Sequence, residues 1–530
     1  MLTAVVWASV LLLGVVAVRV SRQHKLSRPP GPPGLPILGN VLDWTGHEMW
    51  RRVYLWGKKY GDMIYVKVFG MSVLFLNSHE AVNELLHKRG ALYSDRAHLV
   101  LACEMAGFGD IVPLTRYGDK FKLERKLMNQ ALGFSALEKW QPFVAKEAHF
   151  LLSSLMTDPQ SYLGHFKRYA GSLIFTTIYG YHTKLKRDPY IADAEEFMSA
   201  SSSSMAGGWM VDSFPFLRYV PGLGVHKIAA KWRRQLPLWV DKPYEMFKAL
   251  PDSSMKQNSF CGNLLMDDHG KISTDPELEH RVKWLATSLY GPGSDTTVVS
   301  LTILLLALVH YPAVLKKAQR EIDRVVGTDR LPTFSDREQL PYVDCIIKEV
   351  LRWGVPVPIS AFVPFSQTSS IQITSGALVL APPHRLIQPD QYREYTLDEG
   401  IVVSGRIIAA ILHDERLYPE PEKFSPERFE LEKDPERLRL MDSFNYAFGF
   451  GRRRCPGLHF ADQSLFFTFT SIMACFDIAP VTDSNGEPIL PPLEFAGGVF
   501  SRHPKPFKCS ITPRRKNVES LIQAAISVSI

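Results

Sequence analysis

The hydrophobic pattern begins with an uncharged apolar run, Leu2–Val18, which a cluster of basic residues follows at once. The run is short for a membrane span, which needs roughly 20 apolar residues in a typical bilayer. A cleaved signal peptide is the competing interpretation, because its apolar region is also short. The positive charges follow the run, which favours a retained anchor with the body of the chain in the cytosol. These charges are Arg19, Arg22, Lys25 and Arg28.

A Pro-rich stretch, residues 29–36, follows the basic cluster. Because proline fixes φ and lacks an amide donor, the stretch predicts a stiff, non-helical spacer. Two strand-like runs, Ile64–Phe69 and Ser72–Leu76, then flank Gly70 and Met71. They predict a β-hairpin at the beginning of the folded part.

The longest part of the chain, from about Glu80 to Gln339, has a mainly helical pattern with two loop-like interruptions. Short strand-like runs return between residues 356 and 405, and a helical part and a Pro-rich end follow. No internal repeat is visible. The pattern predicts a mainly α fold with a minor β portion, in one large domain. The two interruptions are residues 201–222 and 251–263.

One predicted helix is apolar almost all round, from Val282 to Val309, which is typical of the middle of a large core. Asp275 and Pro276 supply its start signal. Pro292 lies inside it, where proline costs about 3 kcal/mol, so we expect a break there. Polar residues beside a break indicate a site, but hydroxyls that bond back to the preceding turn explain them equally well. These residues are Asp295, Thr296 and Thr297.

The composition limits the class of protein. Of the 530 residues, 46% are hydrophobic, which suffices for a large core and excludes a disordered chain. The net charge of +7 is scattered among acidic residues, and nothing else supports nucleic-acid binding. The 6 cysteines lack the paired spacing of a disulfide framework or a zinc cluster, which places the body in a reducing compartment. They are Cys103, Cys261, Cys345, Cys455, Cys475 and Cys509.

The strongest chemical signal surrounds Cys455, in residues 448–457. Three arginines precede the cysteine and a helix is predicted after Gly457, and both features favour a thiolate. Glycines let the backbone pass close to a flat cofactor. Phe448 can exclude water from the sulfur. The stretch therefore predicts that Cys455 ligates iron.

This stretch resembles the heme-binding loop of the cytochrome P450 family, F-x-x-G-x-R-x-C-x-G, and the resemblance extends over about Pro29–Pro513. It implies the fold of that family and heme b (iron protoporphyrin IX) with an axial thiolate from Cys455. Smaller details resemble microsomal members from fungi, especially basidiomycetes. The matching positions are Phe448, Gly451, Arg453, Cys455 and Gly457.

Further family motifs stand in the expected order. Glu349 and Arg352, three residues apart and hence on one helix face, resemble the E-x-x-R motif. Arg428 lies in a stretch that resembles the Pro-Glu-Arg-Phe segment, and residues 93–96 resemble a Tyr-Ser-Asp-Arg motif. The resemblance implies that Glu349, Arg352 and Arg428 form a buried ionic network beneath the heme.

The resemblance also implies residues that hold the heme propionates. Arg125 matches the arginine of a W-x-x-x-R helix, and Phe121 replaces its tryptophan, which removes the indole donor. His384 lies in a Pro-His-Arg triplet whose histidine faces the other propionate. Phe448 and Arg453 of the cysteine loop complete the implied heme-binding residues.

Residues 293–297 resemble the oxygen-binding motif of the family's central helix. The resemblance implies that Thr296 holds water and dioxygen by hydrogen bonds. Asp295 would relay protons to the distal oxygen, on the side opposite Cys455. Pro292 replaces the first small residue of the motif, and we expect it to deepen or distort the groove.

Residues 360–380 carry no charge and interrupt the register with the family. Two interpretations stay open: an in-frame intron retained in the gene model, or a true loop that projects outward or caps the pocket. In the expressed protein the segment would endanger heme loading by misplacing His384. Milder departures are Arg406, where Asn is common, and Ile408, where Trp is common.

The resemblance implies a monooxygenase of secondary or xenobiotic metabolism, anchored once in the endoplasmic reticulum membrane with its catalytic domain in the cytosol. Its substrate would be small and apolar. Electrons would come from NADPH-cytochrome P450 reductase, with cytochrome b5 as a further candidate partner. A basic face could steer such a partner, although ordinary surface charge explains each of its residues equally. The face comprises Lys120, Lys122, Lys126, Arg452 and Arg454.

Three alternatives remain. A heme-binding sensor would not need the polar residues Asp295 and Thr296, and a family member that rearranges peroxides or dehydrates would not need dioxygen. The segment 360–380 and Pro292 suggest a third alternative, that the gene product is inactive. Fold analogy names no substrate. The expected pocket walls are residues 97–113, 201–220, the central helix, Ile359 and Val499–Phe500.

The sequence also predicts the divisions of the chain. They are an anchor at 1–20, a linker at 21–40, a monooxygenase domain at 41–515 and a tail at 516–530.

Overall fold

The computed structural model describes most of the chain between Arg28 and Ser529. Several predictions fall on residues outside this description: the anchor, the segment 360–380, Ile359, Arg406, Ile408 and Val499–Phe500. The described residues are 28–36, 38–43, 49–68, 70–184, 188–205, 209–357, 383–405, 411–497 and 501–529.

Helices dominate the described residues, as the hydrophobic pattern predicts, and short 3-10 or π turns connect several of them. The α-helices are α1 (Met49–Tyr60), α2 (His79–Val82), α3 (Asp119–Leu132), α4 (Leu137–Thr157), α5 (Tyr162–Tyr179), α6 (Pro189–Met205), α7 (Met210–Ser213), α8 (Gly224–Leu236), α9 (Lys242–Ala249), α10 (Ser254–Asn258), α11 (Phe260–Leu265), α12 (Pro276–His310), α13 (Pro312–Val326), α14 (Pro341–Trp353), α15 (Glu427–Leu431), α16 (Pro435–Met441), α17 (Phe444–Ala447), α18 (Leu458–Cys475) and α19 (Val518–Ser529).

The β portion is minor. In the largest described sheet the strand order is β1-β2-β7-β4-β3, and the predicted hairpin is its β1–β2 pair. Strand β7 runs parallel to β2 and antiparallel to β4. The strands are β1 (Met63–Val68), β2 (Met71–Leu76), β3 (Asp95–Arg96), β4 (His384–Arg385), β5 (Asp390–Tyr392), β6 (Tyr395–Leu397), β7 (Val402–Gly405), β8 (Phe476–Thr482), β9 (Pro488–Ile489), β10 (Phe495–Gly497), β11 (Arg502–Pro504) and β12 (Cys509–Pro513).

Helix α12 is the predicted central helix. The Asp275 carboxylate caps it by accepting the amide of Glu277 at 3.0 Å. From Val298 to Val309 every residue is buried. The helix is continuous through Pro292, so the predicted break is wrong. Burial of about 1.5–3 kcal/mol for each large apolar side chain outweighs the local cost of one proline.

The two predicted interruptions are also partly helical. Helix α6 continues to Met205, and α10 and α11 occupy most of the second interruption. The hydroxyls of Ser253 and Ser259 accept the amides of Lys256 and Gly262, at 3.1 and 3.0 Å. Serines that resemble loop signals therefore act as N-caps of short helices.

The C-terminal segment contains α19, whose residues Val518, Ile522 and Ile526 belong to the main apolar core. The core also contains α5, α12, α14 and α18. Among the described residues, α12 has the length and apolarity of a membrane span, but most of its apolar part is buried inside the protein. It is therefore a core helix.

Candidate active site

The cysteine loop connects α17 to α18. The Cys455 amide donates to the carbonyl of Phe448 at 2.8 Å, which closes the loop. Gly451 has a φ of +53°, and a Cβ atom there would lie 2.1 Å from the carbonyl oxygen of Leu86. Only glycine fits this close approach. The ring of Phe448 stacks on Phe444 with centroids 5.5 Å apart.

Opposing effects act on the Cys455 thiol. Burial raises the pKa of the thiol above its usual value, although the amide of Gly457 and the cations Arg125 and Arg454 act to lower it. Cys455 is an exposed residue, so a ligand can reach it. A metal cation at this position would convert it to a thiolate. The loop therefore fits a thiolate ligand of a metal.

Arg125 of α3 reaches the cysteine loop, where its Nη2 donates to the carbonyl of Arg454 at 2.5 Å. Burial lowers the pKa of Arg125, and the neighbouring Cys455 raises it. The helix that carries Arg125 thus packs directly against the predicted ligand.

A basic wall, which we define as Arg96, His384 and Arg453, lines one cavity. Strands β3 and β4 place Arg96 opposite His384. Burial is the largest cause that lowers the pKa of each: to about 10 for Arg453, to about 3 for His384 and well below its usual value for Arg96. An anionic ligand would stabilise their charged forms, which fits carboxylates such as heme propionates.

The guanidinium of Arg453 lies over the ring of Phe121, 3.7 Å from its centroid. It also donates to the carbonyls of Ser94 and Thr115, each at 2.7 Å. Phe121, at the position of the family's tryptophan, therefore positions Arg453 by a cation–π contact. His384 is fixed by an Nδ1 contact of 2.7 Å with the Tyr93 carbonyl.

The opposite wall of the cavity belongs to α12 and includes Pro292, Asp295 and Thr296. The Thr296 hydroxyl donates to the carbonyl of Pro292 at 3.0 Å, and Thr297 donates likewise to Gly293. The bonds back to the preceding turn that the sequence left open are therefore present. A bonded hydroxyl keeps its acceptor lone pairs, so Thr296 can still accept a hydrogen bond from the cavity.

Asp295 has a partner that the motifs did not indicate. Its Oδ1 lies 3.1 Å from Nε2 of His503 in β11. Burial raises the pKa of Asp295, but the hydrogen bonds and charge of His503, with Ser501, outweigh it and hold that pKa below its usual value. Sequence reasoning missed His503 because the only residues near it that the sequence singles out are Val499–Phe500, as a pocket wall.

The cavity walls agree with the expected ones only in part. They include residues of 97–113, of 201–205 and of α12, but the described residues 209–220, which were also expected, do not line the cavity. Residues that were not expected line it as well, among them Phe197 and Met198 of α6 and residues of β7. Apolar side chains and a few hydroxyls therefore surround the space between Thr296 and Arg453.

Glu349, Arg352 and Arg428 lie together away from the cavity. Glu349 contacts Arg352 at 2.7 and 2.9 Å and Arg428 at 3.1 Å. The side chains of Glu349 and Arg352 are completely buried. The three side chains thus connect α14 to the segment before the cysteine loop.

The five residues of the basic face differ in their surroundings. Lys120 and Lys122 pair with Asp110 and Asp119, at 2.6 and 2.9 Å. Arg454 donates to the carbonyl of Phe444 at 3.2 Å. The face therefore carries acidic partners as well as positive charge, and its two remaining members, Lys126 and Arg452, are exposed.

Comparison with known proteins gives one consistent result. The family model described as Cytochrome P450 matches residues 29–364 and 377–511. Cytochrome P450 monooxygenase claT of Ampulloclitocybe clavipes is 48% identical over 524 residues, 99% of each chain. Cytochrome P450 monooxygenase claR of the same fungus is 35% identical, over 98% of this chain and 93% of its own. Cytochrome P450 monooxygenase 176 of Postia placenta is 34% identical, over 96% and 94%.

Proposed function

The chain belongs to the cytochrome P450 family of monooxygenases, and we propose that it inserts one oxygen atom of O2 into a small apolar organic substrate in fungal secondary or xenobiotic metabolism. One observation carries this proposal: a single cavity joins Asp295 and Thr296 of α12 to Arg453 of the cysteine loop. Its mostly apolar walls suit a substrate with few polar groups.

The heme, when bound, supplies the redox chemistry that activates dioxygen. Cys455 would ligate the iron, and Phe448 would keep water from the sulfur. Arg125, His384 and Arg453 would hold the propionates, and the pKa values of Arg453 and Arg96, lowered by burial, favour such an anion.

The α12 wall would serve the proton transfers that dioxygen cleavage requires. Thr296 commits its hydroxyl proton to Pro292, so it would accept a hydrogen bond from water in the cavity. Asp295 would deliver protons as a general acid. Both residues line the same cavity, so water in it would connect them.

Electrons would come from NADPH-cytochrome P450 reductase, with cytochrome b5 as a further donor. The exposed Lys126 and Arg452 favour an acidic partner surface. Replacing both by Gln should raise the KM for the reductase at low salt, and a KM unchanged at every ionic strength would contradict this docking face.

We also propose that residues 1–20 anchor the protein in the endoplasmic reticulum membrane, that 21–40 form the linker and that 41–515 form the catalytic domain. Exposed apolar side chains near the linker, Leu35, Leu38 and Leu42, support a membrane-facing surface there. After alkaline extraction the full chain should stay with the membranes, whereas a chain that begins at residue 21 should appear in the soluble fraction.

The segment 360–380 favours a second candidate, an inactive gene product. The family model leaves residues 365–376 unmatched, inside this segment. Sequencing the transcript separates the interpretations. A mature transcript that encodes Phe362–Phe365 would rule out an intron that only the gene model retains.

Incubation with 18O2 and a panel of small apolar compounds tests the reaction class. A monooxygenase transfers one 18O atom to the product and consumes one NADPH. Product that carries oxygen only from water, or formed without dioxygen, would contradict the proposal.

A further inference from the structure

The pair between Asp295 and His503 joins the inside of the cavity to a more open position. Asp295 and Ser501 line the cavity, whereas His503 is not among the described residues that line it. About a third of the His503 side chain is nevertheless solvent-accessible. Its Nε2 lies 3.1 Å from Oδ1 of Asp295 and 3.2 Å from Oγ of Ser501.

We infer that His503 is a positioning residue that acts through Asp295: it orients the carboxylate toward the cavity and returns a proton to it from solvent. This inference rests on the proposed monooxygenase function. Ser501 shares the Nε2 contact. The three polar groups form a short path from solvent to the cavity.

The local packing favours this role for His503 over an incidental contact. Strand β11 lies against α12, and the strand pairing places His503 opposite Ala496 of β10. The further charge that acts on Asp295 is Lys167 of α5, which is itself paired at 2.8 Å with Glu195 of α6. The imidazole is therefore the basic side chain in direct contact with Asp295.

The proton transfers balance without any change in oxidation state. Asp295 rests as a carboxylate, because its pKa lies below the usual value. Protonated His503 gives its Nε2 proton to Oδ1 of Asp295, and Asp295 then passes this proton to an acceptor in the cavity and becomes a carboxylate again. Water reprotonates the neutral imidazole and leaves hydroxide in the solvent, so each cycle moves one proton from solvent to the cavity.

Histidine NMR tests the pair independently of turnover. In the full-length protein Asp295→Ala should change the imidazole nitrogen chemical shifts of His503, because it removes the oxygen that contacts Nε2. Imidazole shifts of His503 that do not change in this variant would overturn the pairing, whether or not the enzyme is a monooxygenase.

A second arm tests proton return in the heme-loaded protein with its reductase, using NADPH consumption in air as the readout. His503→Gln, which keeps a hydrogen bond but cannot pass on a proton, should slow several-fold and show a larger solvent isotope effect in D2O than the wild type.

A matched control exists on the same helix. His280 lies 3.1 Å from Asp110, the same separation as in the Asp295 pair, but on the outer surface. His280→Gln should match the wild type in rate and in solvent isotope effect. A His503→Gln variant that equals the wild type in both would overturn the inference, and an unchanged thiolate–heme spectrum in all variants distinguishes that result from loss of the heme site.

Discussion

Arg352 holds Glu349 with two hydrogen bonds, of 2.7 and 2.9 Å, and neither side chain has any exposed surface. Arg428 donates to the same carboxylate at 3.1 Å, and the amide of Ser425 donates to it at 2.8 Å. One carboxylate thus fixes the segment that precedes the cysteine loop to α14.

Removing this carboxylate should destabilise the fold. Glu349→Ala leaves Arg352 buried without its counter-ion, which costs about 3–5 kcal/mol in the free energy of unfolding. Urea unfolding checks the value. Glu436→Ala is the control, because its pair with Arg439 is exposed, and it should leave the unfolding midpoint unchanged. Equal midpoints for the two variants would contradict the role of the buried network.

Arg453 should determine heme retention. Arg453→Lys loses the planar contact with Phe121 and at least one of the two short carbonyl bonds. We expect the heme content of the purified protein to fall several-fold. Its exposed neighbour Arg452 provides the control, and Arg452→Lys should bind heme as the wild type does. Full heme content in Arg453→Lys would show that the basic wall does not hold the propionates.

Thr296 and Thr297 make the same bond to the preceding turn, but only Thr296 is among the described residues that line the cavity. Thr296→Val should therefore lower product formed per NADPH, by about 10²-fold if its hydroxyl takes part in proton transfer. Hydrogen peroxide should rise in proportion. Thr297→Val should leave both quantities unchanged, and equal effects of the two substitutions would contradict the assignment.

His384 should make the protein less stable in acid. Burial lowers its pKa from the ordinary 6.5 to about 3, so between these values the unfolded chain binds more protons than the folded one. The folded protein therefore keeps its full free energy of unfolding above pH 6.5 and loses part of it as the pH falls toward 3. His384→Asn can still contact the Tyr93 carbonyl. It should reduce the loss of unfolding free energy between pH 7.5 and 5.5 by about 1 kcal/mol, measured by urea unfolding of the heme-free protein. The same loss in both proteins would contradict the neutral, buried His384.

Local chemistry made some features predictable from the sequence. The cysteine loop depends on short-range requirements, namely a positive φ at Gly451 and a helix start after Gly457, and a sequence records these directly. The start of α12 is predictable for the same reason, because Asp275 caps it with its own side chain.

Other features depend on contacts between distant segments. The continuity of α12 through Pro292 is set by packing from both sides, which overrides a local preference. The approach of His503 to Asp295 needs β11 to lie against α12, and no spacing in the sequence indicates it. The caps at Ser253 and Ser259 lie in a stretch whose pattern predicts a loop, because serine serves in both loops and helix caps.

The reduced, carbon-monoxide-bound difference spectrum of the full-length protein tests the central claim, that Cys455 ligates the heme iron. It should show the red-shifted Soret band of a thiolate-ligated heme, in the full chain or in the chain without Ser360–Leu380. Cys455→Ser should lose the band, while Cys345→Ser, which changes a half-buried cysteine of α14, should keep it. No such band in either form of the chain, or a band that survives Cys455→Ser, would contradict the assignment.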